Sequence, residues 1–469
     1  MTVHHTPSGS RTRIFEVSTL YGAATLAAAL DAGLFGPRDD GRRILLVSNN
    51  APIPETAAQL PEMPGFDRVA GRFDRVLDYN REISPYHPGT WVPKPTDAIL
   101  LRRLLARQWE LGDDPVELVV ESVTAAPAKA LTEIFTDADV HVYADGLMSY
   151  GPTRDPLPQH LSCRIQRLLH LDLVPGLTPL LLSEHRVPAR VVPMDAFRAV
   201  LDELTQAAPA LPATPQGPPT AIVLGQYLAA IGILTEAEEE RLHERMLRGA
   251  AAAGHRRVLF KPHPTAPARY NQALEKAAAD AGVSLTVLDQ PMLAESLYGL
   301  LQPELVISCF STALLTAATC YRIPVARTGT DLLLERLTPY ENSNRVPATI
   351  VDAVVPELGG EAPTRDIAHL SGLLTAVGYC MQSEAHARLR PEAEAWLAAH
   401  PDIARPPYVT RRRLTALQLP GGLRVIRLPG VARALRLPSS LARIPGVARA
   451  LRRFPGARRT LRRMWRALG

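Results

Sequence analysis

Lysine is almost missing from this chain: it occurs four times in 469 residues, so 48 of the 52 basic residues are arginine. With 43 prolines and abundant alanine, this bias points to GC-rich coding and says little about function. Cysteine is scarce as well. Cys163, Cys309, Cys320 and Cys380 are too few and too scattered for a disulfide scaffold, and they lack the paired spacing of a zinc site. That pattern predicts a reducing compartment. No apolar run reaches the roughly 18 residues needed to span a bilayer, which excludes a bundle of membrane helices. Met1 to Arg13 is polar, with no apolar stretch behind its basic residues. The sequence therefore predicts no secretion signal, a cytoplasmic chain, and membrane contact of a peripheral kind only.

Acidic residues are missing from the last stretch of the chain. Arg411 to Gly469 contains 16 arginines and no lysine, aspartate or glutamate, a charge of +16. The whole chain is +5, so residues 1–410 carry 5 − 16 = −11. An acidic body is thus joined to a strongly basic tail. The tail is a loose repeat: Arg427-Leu-Pro-Gly-Val-Ala-Arg-Ala-Leu-Arg436 returns at Arg443 to Arg452, and again more loosely at Arg453 to Arg462. Each Pro-Gly interrupts a helix. Apolar residues interleave with arginine as in membrane-surface helices. Aromatics are few (Phe454, Trp465), which favours an anionic membrane over nucleic acid as the tail's partner, with a solvated extension as the plain alternative.

The body, in a chain of 46% hydrophobic and 21% charged residues, has the make-up of a folded domain pair. Ser18 to Leu34 has helical apolar spacing. Arg43 to Ser48, Val116 to Ser122 and Val140 to Tyr143 read as buried parallel strands with helices between them. Gln206 to Thr220 contains five prolines and no apolar rhythm, and is read as a linker. The strands Ala221–Leu224, Arg257–Lys261, Leu285–Leu288 and Leu305–Ser308 then follow. The expected fold is α/β of GT-B type, two Rossmann-like halves facing a cleft. Its expected boundaries are an acceptor domain at 11–205, the linker at 206–220 and a donor domain at 221–380. A closing helical segment at 381–410 and the basic tail at 411–469 complete it.

Four short motifs fall where strands end. Asp145-Gly146 follows the strand at Tyr143; its carboxylate can take a proton from a hydroxyl nucleophile, or it is an ordinary turn. Lys261-Pro-His263-Pro follows another strand, and both side chains can meet a phosphate or be plain loop residues. Ser311-Thr312 opens a helix, as an anion site or as an N-cap. Glu295 starts the helix between them and can cap it or hold a ribose or base. Gly225 and Gln226 follow the Ala221 strand, as donor-site lining or a βα turn. Asp137-Ala-Asp139 spells a D-x-D, but it precedes its strand and reads as a solvated turn.

The order and spacing of these motifs resemble the bacterial sialyltransferases, and most of all the bacterial alpha-2,8-polysialyltransferase-like family. There, acid-Asp-Gly, His-Pro and Ser-Ser motifs recur in this order. The resemblance runs over residues 14–380 and includes Leu46-Val-Ser-Asn-Asn50 and Asp145-Gly-Leu-Met-Ser-Tyr-Gly151. It implies Asp145 as general base and His263 as general acid or phosphate stabiliser. It also implies Ser311 and Thr312, with Lys261, on the donor phosphate, and Glu295 on the cytidine. Gly225 and Gln226 would line the donor site, and Asn49 and Asn50 would face the acceptor. Ala144 stands where the family has its first acid, and Thr312 where it has the second serine. The implied activity is inverting, metal-independent transfer of sialic acid or a related nonulosonate from a CMP-sugar to a glycan acceptor, free or lipid-linked. The donor is a substrate, and no cofactor is implied. Placement is expected on the inner face of the cytoplasmic membrane. A CDP-polyol phosphotransferase of teichoic-acid type and a membrane-docked protein without catalysis are the alternatives. The first domain's lack of a second His motif argues against the former.

Overall fold

The computed structural model describes residues 11–54, 57–144, 146–211, 217–263, 269–364, 366–401 and 408–423. Two all-parallel sheets organise the body. The first holds β1 (Thr12–Val17), β2 (Arg42–Val47), β3 (Arg75–Asp78), β4 (Val116–Val120), β5 (Asp139–Ala144), β6 (Ile165–Leu171) and β7 (Ala189–Val192), in the order β3-β2-β1-β4-β5-β6-β7. The second holds β8 (Ala221–Leu224), β9 (Arg257–Lys261), β10 (Ser284–Val287), β11 (Leu305–Ser308) and β12 (Val325–Arg327), in the order β10-β9-β8-β11-β12. The strand order reverses beside β1 in one sheet and beside β8 in the other. Those reversals open the crevices in which parallel α/β sheets take their ligands. This is the two-halved α/β fold expected from the sequence.

Every residue of β1 and of β8 is buried, as central strands covered on both faces require. β8, β9 and β11 coincide with the expected runs, and the other expected strands lie within a residue or two of theirs. β1, β3, β6, β7 and β12 were not expected. β1 reads Thr-Arg-Ile-Phe-Glu-Val, and its polar residues are tolerated because they are paired. The buried Arg13 bonds Glu117 at 2.7 Å and Asp40 at 3.0 Å, while Glu16 accepts from the Glu121 amide. Tertiary pairing hides a strand from a pattern of apolar residues alone.

The two halves share a core. The helix Met194–Gln206 packs on Leu20–Asp31 of its own half and on Ala294–Leu301 of the other. Gly299 permits that second approach, since a Cβ there would lie 2.7 Å from the Thr205 methyl. The hydroxyl of Tyr21 lies 3.0 Å from that of Thr316, again across the halves. This compact unit runs to Gly421, and the second begins at Gly422. The tail drawn from Arg411 therefore starts inside the body. Arg411–Leu417 is a helix capped by Thr410, with Leu414 buried and Arg413 bonded to the Cys380 carbonyl at 2.6 Å and Glu341 at 2.8 Å. The Pro-Gly repeats lie outside the described residues, as does the middle of the proline run, 212–216.

Candidate active site

β8, β9 and β11 lie side by side in register, with Leu224 opposite Lys261 and Val223 opposite Ile307. Their carboxyl ends therefore deliver Gly225, His263 and Ser311 to one place. A cavity of about 500 Å³ opens there, within the usual range for small-molecule sites. Gly225, Gln226, Tyr227 and His263 form part of its wall, with Glu295, Ser311 and Thr312. Thr19, Tyr21 and Met148 close it from the first half, the first two following β1 and the third following β5. Leu293, Phe310 and Pro347 add apolar surface, and Asn344 a further amide.

Each wall group has a local cause. Gly225 is set by close approach: a Cβ there would lie 3.0 Å from the Phe260 ring, 3.1 Å from Pro262 Cα and 3.2 Å from His263 N. Any side chain would push the His263 turn away. His263 stacks on Tyr227 with ring centroids 4.0 Å apart and planes 26° off parallel. Burial and the nearby charge of Lys261 push the imidazole down to about 4, so it is neutral at pH 7. Glu295 sits in the first turn of Ala294–Leu301, and burial pushes its carboxyl up to about 7 against the opposing pull of its own amide and of Lys261. Ser311 is the N-cap of Thr312–Cys320, its oxygen accepting from the Ala313 amide at 3.2 Å. Its hydroxyl hydrogen stays available to a ligand at the positive end of that helix.

The Asp-Gly motif meets the Ser-Thr motif directly. A Cβ on Gly146 would lie 2.8 Å from Thr312 Oγ1, and the Leu147 amide donates to that oxygen over 3.5 Å. Gly146 has extended backbone, φ −164°, so it is the contact and not the dihedral that calls for glycine. Asp145 itself lies outside the described residues; Ala144 before it ends β5, and Gly146 after it is braced as described.

Three sequence-derived site residues stand off the cavity wall. Lys261 ends β9 with its Nζ 3.5 Å from the Gln290 carbonyl, and acts on the cavity through its charge on Glu295 and His263. The Asn49 side chain is spent within its own loop, donating to the Pro54 carbonyl and accepting from the Ala51 amide. Asn50 has a buried Oδ1 without a partner among the described residues and packs beside Gly89. The D-x-D residues are at the amino end of β5, away from the cavity. There Asp137 pairs with Arg102 at 3.0 Å and Asp139 accepts from Gln166 at 2.9 Å.

Sequence reasoning missed the support beneath the loop after β8. The buried Glu239 accepts from the Leu228 amide at 2.8 Å and the Ala229 amide at 2.9 Å. One turn on, His243 accepts from the Gln226 amide at 3.0 Å; burial pushes its imidazole down to about 4, consistent with a neutral acceptor. The Gln226 side chain donates to Ser308 at 2.8 Å, and Ser308 to the Leu224 carbonyl at 3.2 Å. The signal was there. Glu239 and His243 fall on the apolar stripe of Leu242, Met246 and Leu247 in Glu236–Ala252, where a polar residue must find a partner.

Two parallel α/β halves closing on a cavity of hydroxyls, imidazole and carboxyl have the architecture of a GT-B glycosyltransferase. A family model gives the chain its place: residues 13–330 match that of the alpha-2,8-polysialyltransferases, and the chain belongs to that family. It is a sialyltransferase-like glycosyltransferase. No curated protein matches the sequence. Among solved structures, the chain is similar to the GT-B domain of a sialyltransferase from Photobacterium damselae (12% identity, 72% of this chain and 96% of that one, TM-score 0.37). It is also similar to a glycosyltransferase from Rickettsia africae (10% identity, 86% and 99%, TM-score 0.36). A third is MurG of Acinetobacter baumannii (12% identity, 81% and 95%, TM-score 0.37).

Proposed function

We propose that the enzyme transfers sialic acid or a related nonulosonate from a CMP-sugar to a glycan hydroxyl, with inversion and without a metal ion. The observation that carries this reading is the convergence of Gly225, Gln226, His263, Glu295, Ser311 and Thr312 on one cavity, with the Asp-Gly turn packed on Thr312. In the step proposed, the acceptor oxygen bonds to the anomeric carbon as the bond from that carbon to the phosphate oxygen breaks. Asp145 receives the hydroxyl proton, and CMP leaves with the bonding electron pair. The charge gathering on the phosphate meets the Ser311 hydroxyl, the helix amino end and His263, whose imidazole takes up a proton from solvent once the phosphate's negative charge raises its affinity for one. Glu295 is suited to the amino edge of cytosine or a ribose hydroxyl. The basic tail holds the acidic body at an anionic membrane, near a lipid-linked acceptor.

The test is incubation with CMP-sialic acid and a panel of glycan acceptors, with mass spectrometry of product glycan and CMP. Asp145→Asn is expected to lose about 10²-fold or more in turnover while still binding CMP, since the base acts on the acceptor. No CMP binding and no transfer to any acceptor would overturn the reading. Wild-type turnover by Asp145→Asn would remove that residue from it.

A further inference from the structure

The second functional surface is on the outside of the first half. The helix Ala98–Gln108 reads Ala-Ile-Leu-Leu-Arg-Arg-Leu-Leu-Ala-Arg-Gln and contains no acid. It buries Ala98 and Leu105, the latter in the apolar core of this half. Helical geometry then turns positions 99, 100, 103, 104 and 107 to the opposite side, within about 140° of one another. There Ile99 is 69% exposed, Leu100 60% and Leu104 52%, with Arg103 and Arg107 exposed among them. Large aliphatic side chains in a contiguous run on a solvent face are uncommon in a protein that works alone.

Two loops of the same half also expose large apolar side chains. Ile53, 59% exposed, lies in the loop after β2, and Tyr86, 58% exposed, in the loop after β3. His87 Nε2 bonds the Ala51 carbonyl at 2.8 Å and ties the two loops together, while the Tyr86 ring stacks on Trp91 with centroids 5.5 Å apart. Both loops leave the carboxyl edge of the first sheet, the edge from which Thr19, Tyr21 and Met148 reach the active-site cavity. Ile99 and Leu100 follow at the start of the helix. The two loops and the start of the helix are thus on the edge of the acceptor half that holds the cavity mouth, and the helix runs from there towards the amino edge, where Arg102 pairs with Asp137.

We propose that this face, the helix Ala98–Gln108 with the tips at Ile53 and Tyr86, is a membrane-docking surface for anionic phospholipid. Its apolar side chains enter the headgroup boundary, and Arg103 and Arg107 pair with lipid phosphates. Charge complementarity selects that occupant. Residues 1–410 carry −11, and this helix is an acid-free basic segment within them that also exposes aliphatic side chains. A membrane here sets the acceptor side of the cavity near the surface where a lipid-linked glycan begins. That purpose rests on the membrane-acceptor reading above; the contact itself does not depend on the tail.

The experiment uses the full chain, its tail intact. A polarity-sensitive dye is placed at Leu104→Cys in a Cys163→Ser background, and vesicles of phosphatidylglycerol and phosphatidylcholine are added. The dye should shift to shorter wavelength with anionic vesicles and not with pure phosphatidylcholine. Ile99→Ser/Leu100→Ser/Leu104→Ser, which leaves the buried face intact, should bind anionic vesicles at least tenfold more weakly. It should keep wild-type transfer to a soluble acceptor. Unchanged dye emission on vesicles that demonstrably carry the protein would mean docking by the tail alone, and would overturn the proposal. A dye shift that follows protein concentration without lipid would show a second copy of the chain on this face and overturn it equally. Neither result touches the transferase reading, which is judged on the soluble acceptor.

Discussion

Glu295 offers the sharpest test of the site as described. Its carboxyl is fully buried, and burial raises it from the ordinary 4.5 to about 7. Between those values the folded protein keeps a proton that the unfolded chain has released. Stability from this group is therefore fully present below pH 4.5 and is lost as pH rises towards 7. Glu295→Gln removes the titration while keeping shape and hydrogen-bonding capacity close to those of the protonated acid. The difference between 7 and 4.5, at about 1.4 kcal/mol per tenfold, is about 3 kcal/mol. The wild type should thus lose about 3 kcal/mol relative to the variant from pH 4.5 to pH 7 and stay level above that. His263 works in the opposite sense: its depressed pKa contributes stability above 6.5 that is lost as pH falls towards 4. It is common to both proteins and cancels in the difference. Urea unfolding of both at several pH values, with linear extrapolation, measures the quantity. Parallel stability curves from pH 4.5 to 8 would refute a carboxyl whose burial outweighs its partners, and with it the electrostatic picture of the cavity.

A phosphate beside His263 should raise its pKa from about 4, so CMP binding at pH 6 should take up a proton. Calorimetry in buffers of different ionisation heat reads this, and identical heats would contradict it. His263→Ala should weaken CMP binding and slow transfer about 10²-fold; unchanged affinity and turnover would take His263 out of the mechanism. Transfer should persist in EDTA; strict dependence on Mg²⁺ or Mn²⁺ would refute the metal-independent reading. Gly225→Ala must displace the backbone at Pro262 and His263 by a few tenths of an ångström, and is expected to cost about tenfold in turnover at unchanged fold. Wild-type rates would show that the turn yields freely.

What could be read in the sequence was set by how local its cause is. β8 and β9, Ala-Ile-Val-Leu and Arg-Val-Leu-Phe-Lys, announce themselves by apolar content, and they place Gly225 and His263 without further help. β3 and β7 are four residues each with charged members, and only their neighbours in the sheet make them strands. The cavity divides in the same way. Ser311 was legible as a helix start, and it caps one. Thr19 and Tyr21 were not, because they reach the cavity only through the way the halves pack. Asn49 was legible as a polar residue after a strand, but its bonds were not. Its side chain serves Pro54 and Ala51 of its own loop, and its backbone pairs with the Asn80 side chain beyond β3.

The family's acid-Asp-Gly and Ser-Ser motifs are both altered here, to Ala144-Asp145-Gly146 and Ser311-Thr312, and each alteration has its own surroundings in the structure. Thr312 does not sit in the cavity as a free hydroxyl. Its oxygen takes the long bond from the Leu147 amide, and its methyl lies 3.4 Å from where a Gly146 Cβ would be. A serine in its place would offer the same oxygen without that methyl, and would leave the Asp-Gly turn less firmly braced. Ala144 is buried at the end of β5, so an acid at that position in this fold would need a partner that the apolar cluster around it does not offer. The first half therefore presents its Asp-Gly turn under contact from the second half's helix, the same helix whose amino end faces the cavity. Moving one half against the other would disturb both the Gly146–Leu147 backbone and the amino end of that helix together. The two motifs meet at Thr312, whose oxygen and methyl both face that backbone, a contact that its place in a Ser-Thr pair does not announce.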